Sequence, residues 1–207
     1  MSSIAFSGCS MPSVSKVGEV RAAKVGAIVV AASSLLYPVI VYIGRAAVPP
    51  LAFVALALLL VGLRVATLRT EAALMWRAPL ICAALVIAAA AAIDGWTAAK
   101  IYPVALSLAA ALAFAISLVQ PPSLIERIAR IREPELPPAG QLYCRNVTIV
   151  WTVWLVANAV VAGMLAAFGS EEAWALWTGL VAYLVMGALF GGEIIVRQLV
   201  RPRSVPA

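Results

Sequence analysis

Between Val25 and Val196 the chain is a succession of apolar runs separated by short polar turns. Several reach or approach the roughly 20 residues with which a helix crosses about 30 Å of hydrocarbon. A soluble fold has no use for so many of them. In lipid every backbone N–H and C=O must be satisfied internally, which leaves helices or a closed β-barrel. Barrel strands alternate apolar and polar residues, and runs such as Ala88 to Ala92 do not. Composition agrees: 64% of the residues are hydrophobic and 12% charged, against about 45–50% and about 25% in soluble domains. The expected fold class is all-α, a polytopic membrane protein of about six transmembrane helices.

Those spans are expected at about Val25 to Ile43, Leu51 to Val65, Pro79 to Ile93, Ile101 to Val119, Thr148 to Phe168 and Ala173 to Val196. Pro38 inside the first should bend the helix or free a carbonyl. Pro49-Pro50 suits a helix start, where the missing N–H matters least. Residues 1–20 are Ser-rich and read as a disordered cytoplasmic tail, 21–200 as a single transmembrane domain, and 201–207 as a second cytoplasmic tail. Phe6-Ser7-Gly8-Cys9 has neither a basic nor an apolar region ahead of it, so a processed signal is not expected. Tyr37-Pro38-Val39 recurs as Tyr102-Pro103-Val104, a match too short in so apolar a chain to read as a repeat.

Charge sets the expected orientation. Lys16, Arg21, Lys24, Arg64, Arg69, Arg77, Arg127, Arg130, Arg132, Arg145, Arg197, Arg201 and Arg203 fall in or beside the tails and the second and fourth loops. Only Arg45 and Lys100 fall on the other side. Lys and Arg accumulate on the cytoplasmic side of membrane proteins. Both termini should therefore be cytoplasmic, N-in and C-in, with an even number of spans. The net charge of +6 is then a topology signal, and nucleic acid is not an expected partner. Arg64 is expected to snorkel to the headgroups. Trp76, Trp96, Trp151, Trp154, Trp174 and Trp177 read as interfacial anchors.

The chain has no histidine, which removes bis-histidine haem, His-based zinc sites and the Ser-His-Asp triad. Cys9, Cys82 and Cys144 are widely spaced and form no CxxC motif. No catalytic, cofactor-binding or metal-binding residue is assigned, and an enzyme is not expected. The candidates are intramembrane polar groups. Asn158 falls near the middle of the fifth span and Tyr183 near the middle of the sixth, at depths where they could pair. An unpaired amide in hydrocarbon costs several kcal/mol, so Asn158 should face the bundle. The pair reads as interhelical glue or, more sharply, as a polar pocket for a head group, with Ser107 and Thr178 nearby. Glu193 is the one carboxylate inside an expected span, and Arg197 four residues on suggests an ordinary helical ion pair. Ala159, Gly163 and Ala167, with Gly179, Gly187 and Gly191, predict that the last two spans pack as an antiparallel hairpin. Homodimerisation is the alternative.

Pro121 to Thr148 is the longest polar interruption. Ser123 and Glu126 have the spacing of a capping box. Leu124, Ile125, Ile128 and Ile131 oppose Arg127, Arg130 and Arg132, which predicts a short cytoplasmic amphipathic helix between the fourth and fifth spans. It reads as attachment to anionic inner-leaflet lipid, or as a docking face for an acidic protein. Pro134 should stop it.

The second half resembles a family of uncharacterised bacterial inner-membrane proteins. The matching residues are PPSLIERIARIREPELPP, YCRNVTIVW and WALWTGLVAYLVMGALFGGEIIVR, with LLYPVIVYIG in the first half. Genes of that family occur among fatty-acid-synthase-like and aryl-polyene clusters. The resemblance implies an inner-membrane protein beside carrier-bound acyl chemistry, with an acyl carrier protein as an acidic partner. No catalytic residues are carried over from it. Family members have Tyr-Asn in place of Trp177-Thr178, and a Tyr in place of Ile194.

Two functions are expected from these features. One is a scaffold or accessory component of lipid or aryl-polyene biosynthesis or export, docking through Arg127, Arg130 and Arg132. The other is a small transporter or flippase for an amphipathic lipid-like product, with a cavity lined by Asn158, Tyr183 and Glu193.

Overall fold

The computed structural model describes residues 32–33, 36–68 and 75–200, the last two by backbone alone. The expected tails, most of the first span and Arg69 lie outside the described residues. Within them every regular element is helical: α1 (36–44), α2 (Pro50–Thr67), α3 (Arg77–Ala91), α4 (Gly95–Val119), α5 (Leu124–Arg130), α6 (Pro138–Phe168), α7 (Glu171–Leu176) and α8 (Ala182–Val200). A π turn, Trp177–Val181, joins α7 to α8 in one rod. Four helices are long and apolar enough to cross a membrane: α2, α4, α6 and the rod Glu171–Gln198. The chain is therefore a membrane-embedded helical protein. At 15 residues, α3 rises only about 22 Å.

Two helix starts differ from expectation. The fourth span begins at Gly95, because the Asp94 Oδ2 accepts the Thr97 N–H at 2.7 Å and caps it. The Thr97 hydroxyl, and after it that backbone bond, hold the Asp94 carboxyl below the usual carboxylate range. The fifth begins at Pro138 rather than Thr148. Proline suits a first turn, and nothing polar between Gln141 and Asn146 interrupts a helix that has merely left the hydrocarbon.

The core is built on small residues. Ala57 of α2, Ala83 of α3, and Ala98, Ala99, Ala105 and Ala109 of α4 are almost fully buried, and they let the backbones approach closely. Tyr37 fills the gap between them. It is 0% exposed and lies 4.3 Å from the Tyr102 ring. Its hydroxyl donates to the Ala99 carbonyl at 3.0 Å and lies 3.2 Å from that of Phe53. Pro103 continues α4 without an N–H, so the Ala99 carbonyl has lost its helical donor. Tyr37 replaces it from another helix.

The expected hairpin of the last two spans is not formed through its small residues. Gly163 of the expected stripe faces Val104 of α4 instead, and α6 packs mainly on that helix. A Cβ at Gly187 or Gly191 would meet nothing within 4 Å. The π turn offsets α8 from its predecessor, and Leu184, Phe190 and Ile195 face outward.

Charges are grouped by end. Arg45 pairs with Glu171 at 2.8 Å and Glu172 at 3.7 Å, and Lys100 with Glu171 at 3.6 Å. The two cations assigned to the second side thus meet the acidic turn. At the opposite end Arg145 donates to the Leu118 carbonyl at 3.1 Å and Arg127 to that of Gln120 at 3.0 Å. Both cap the C-terminus of α4, where the helix dipole favours cations.

Candidate functional site: an intramembrane polar cavity

A cavity of ≈ 490 Å³ opens between α2, α3, α4, α6 and the π-turn rod. Its polar lining is Arg64, Thr67, Tyr102, Ser107, Asn158, Thr178 and Tyr183; its apolar lining includes Leu80, Leu106, Leu155 and Met186. The volume is that of a small-molecule site, about 300–1,000 Å³, and a mostly apolar wall with a few convergent polar groups is typical of one.

Asn158 stands at its centre. It is 8% exposed, and its amide is doubly held. Nδ2 donates to the Ser107 hydroxyl at 2.9 Å, and Oδ1 accepts the Trp177 indole N–H at 3.0 Å. The expected Asn158–Tyr183 bond is absent. Tyr183 lines the same cavity, half-buried, without reaching the amide. Trp177 opens the π turn. Its indole therefore belongs to this network, not only to an interfacial belt. Trp177 and Thr178 both fall at this site, whereas Ile194 does not.

Arg64 adds a charge to this site. From the last turn of α2 its half-buried side chain lines the cavity, and its Nε is buried without a hydrogen-bond partner. The signal available in the sequence was a charge near a span end. The direction of that side chain depends on where α3 and α4 leave a gap.

Glu193 does not line the cavity, and no ion pair joins it to Arg197. Arg197 is exposed, and the Glu193 backbone carbonyl accepts the Tyr143 hydroxyl at 3.4 Å. The expected cavity of Asn158, Tyr183 and Glu193 thus keeps the first two and exchanges the third for Arg64.

In the long loop, α5 forms with Glu126 closing on the Ser123 N–H at 3.4 Å. The basic face is largely turned inward. Arg127 donates to the Pro122 carbonyl at 2.8 Å as well as to Gln120. Arg130 pairs with Glu126 at 2.7 Å. Arg132 is exposed, as are Ile128 and Ile131. Among the described residues no group of three metal-ligating side chains occurs.

Comparison with known protein families, with curated proteins and with solved structures gives no match.

Proposed function

We propose that this protein is a small transporter or flippase that holds an amphipathic, lipid-like molecule in the cavity around Asn158. The observation that carries the reading is a mostly apolar cavity of ≈ 490 Å³ with a hydrogen-bonded amide at its centre. Helix packing alone needs no such space, since interiors normally close to crystal-like density. Six spans in the bacterial inner membrane, with both termini cytoplasmic, is the topology proposed with it. It puts Arg45, Lys100, Glu171 and Glu172 outside and the bases that cap α4 inside. The family resemblance would place the molecule in lipid or aryl-polyene biosynthesis or export.

The scaffold reading, with a carrier-protein partner, has less support. Two of its three arginines are engaged within the loop. Exposed Ile128 and Ile131 favour instead attachment of α5 to anionic inner-leaflet lipid. A second copy, if the protein is a homo-oligomer, would seat on the open Gly187 and Gly191 face.

Native mass spectrometry of the protein extracted from its own membrane tests the reading. We expect one lipid-like adduct per chain, lost when Ala110→Trp fills the cavity. An adduct-free wild type, or an Ala110→Trp variant that keeps its adduct, refutes it.

A further inference from the structure

Among the described residues that line the cavity, one carries a formal charge and none carries the opposite one. Arg64 is the one permanently charged residue among the described residues of the lining, and none of these is a carboxylate. Its Nε is buried and unpartnered, and among the described residues it takes part in no ion pair. Among the described acids, Glu171 and Glu172 pair with Arg45 and Glu126 with Arg130. Arg64 is half-buried, a charged N–H shielded from water gains most from an anionic acceptor, and Arg stays protonated in proteins. Its fork of N–H donors matches a carboxylate or a phosphate in two-point contact. Away from Arg64 the wall turns to Leu106, Leu155 and Met186, which suits a hydrocarbon chain.

We infer that the occupant is anionic: a single-chain amphiphile whose carboxylate or phosphate is met by Arg64, with its chain along the apolar wall. The inference rests on the cavity being a lipid-like site and adds the charge of the ligand. Arg64 lies in the last turn of α2, so the head is held near one end of the bundle and the chain runs toward Asn158.

The full chain in phosphatidylcholine nanodiscs provides the test, with tritiated palmitate as probe and hexadecyl phosphate, hexadecanol and inorganic phosphate as competitors. Palmitate and hexadecyl phosphate should bind about tenfold or more tighter than hexadecanol, the effect of a charge-assisted contact. Arg64→Gln should bring both anions down to the level of hexadecanol and leave hexadecanol binding unchanged. Arg64→Lys, which keeps the charge, should hold the anions ahead. Equal binding of anion and alcohol by the wild type, or an Arg64→Gln variant that keeps the preference, overturns the inference and leaves the cavity reading standing. Competition by inorganic phosphate as strong as by hexadecyl phosphate overturns the amphiphile. If none of the hexadecyl compounds binds, the cavity reading fails and this inference with it.

Discussion

Tyr37 and Asn158 are the two side chains that convert helix contacts into specific joints. The Tyr37 hydroxyl supplies the donor that Pro103 withholds from the Ala99 carbonyl. Tyr37→Phe should destabilise the protein by about 1–3 kcal/mol, the usual penalty for a buried polar group left unpaired. In a Pro103→Ala background, where the backbone N–H is restored, the same change should be much milder. Equilibrium unfolding of the four proteins as a double-mutant cycle measures the difference; equal penalties in both backgrounds would sink the account of Tyr37. Asn158→Leu should release the Trp177 indole and the Ser107 hydroxyl together, at about 1 kcal/mol, with an altered emission from Trp177. Emission unchanged from the wild type would mean that the indole does not rest on the amide. Asn158 was legible in the sequence because an amide inside an apolar run is conspicuous. Its partners were not, because depth alone cannot say which way a ring turns across a π turn. Arg64 was legible as a charge, but its place in the cavity wall was not, because a span end offers it both the headgroups and the interior.

At the scale of elements, apolar run length located five of the helices well and their polar ends badly. Hydropathy reports where hydrocarbon begins, whereas a helix continues until a cap or a breaker stops it. Hence α4 starts at its Asp94 cap and α6 at Pro138, each ahead of its apolar run. Small-residue spacing marked the packed face of α6 but not its partner, and the Gly187 and Gly191 face is open, since Ala159 and Gly163 can meet any helix that comes close enough. In the structure α6 packs mainly on α4, with Gly163 facing Val104 and Asn158 bonded to Ser107. Ala162 is 0% exposed, so Ala162→Leu should cost about 1–3 kcal/mol by overpacking. Gly187→Leu and Gly191→Leu should leave monomer stability within about 0.5 kcal/mol, as at other open surface sites. Thermal unfolding in detergent compares them directly; the reverse ranking would restore the α6–α8 hairpin.

For the whole molecule, the sorting of charge was the most informative pattern in the chain, and it concerns orientation rather than activity. The ion pairs among Arg45, Lys100, Glu171 and Glu172 gather at one end the residues assigned to one side. Single cysteines at Arg132 and Glu172, in a chain lacking its own three cysteines, should react with an impermeant maleimide from opposite faces of inverted vesicles and intact cells. Labelling of Arg132 from intact cells and Glu172 from inverted vesicles would reverse the orientation, and labelling of both from one face would contradict the assignment of these ends to opposite sides. Function was legible only as far as a polar group at depth. The cavity itself was not, because it is the space left when α2, α3, α4, α6 and the π-turn rod fail to close, and no single segment encodes it.

Whether that space is occupied decides the account, and photolabelling of the native chain asks this with no substitution at all. A diazirine-bearing hexadecyl probe, mapped by peptide mass spectrometry, should label Leu106, Leu155 and Met186 in the cavity wall and lose that labelling to excess unlabelled amphiphile. Labelling of the outward-facing Leu108, Val160 and Phe190 should not be displaced. Cavity labels as unsaturable as those on the lipid-facing surface would show that the cavity holds only passing lipid.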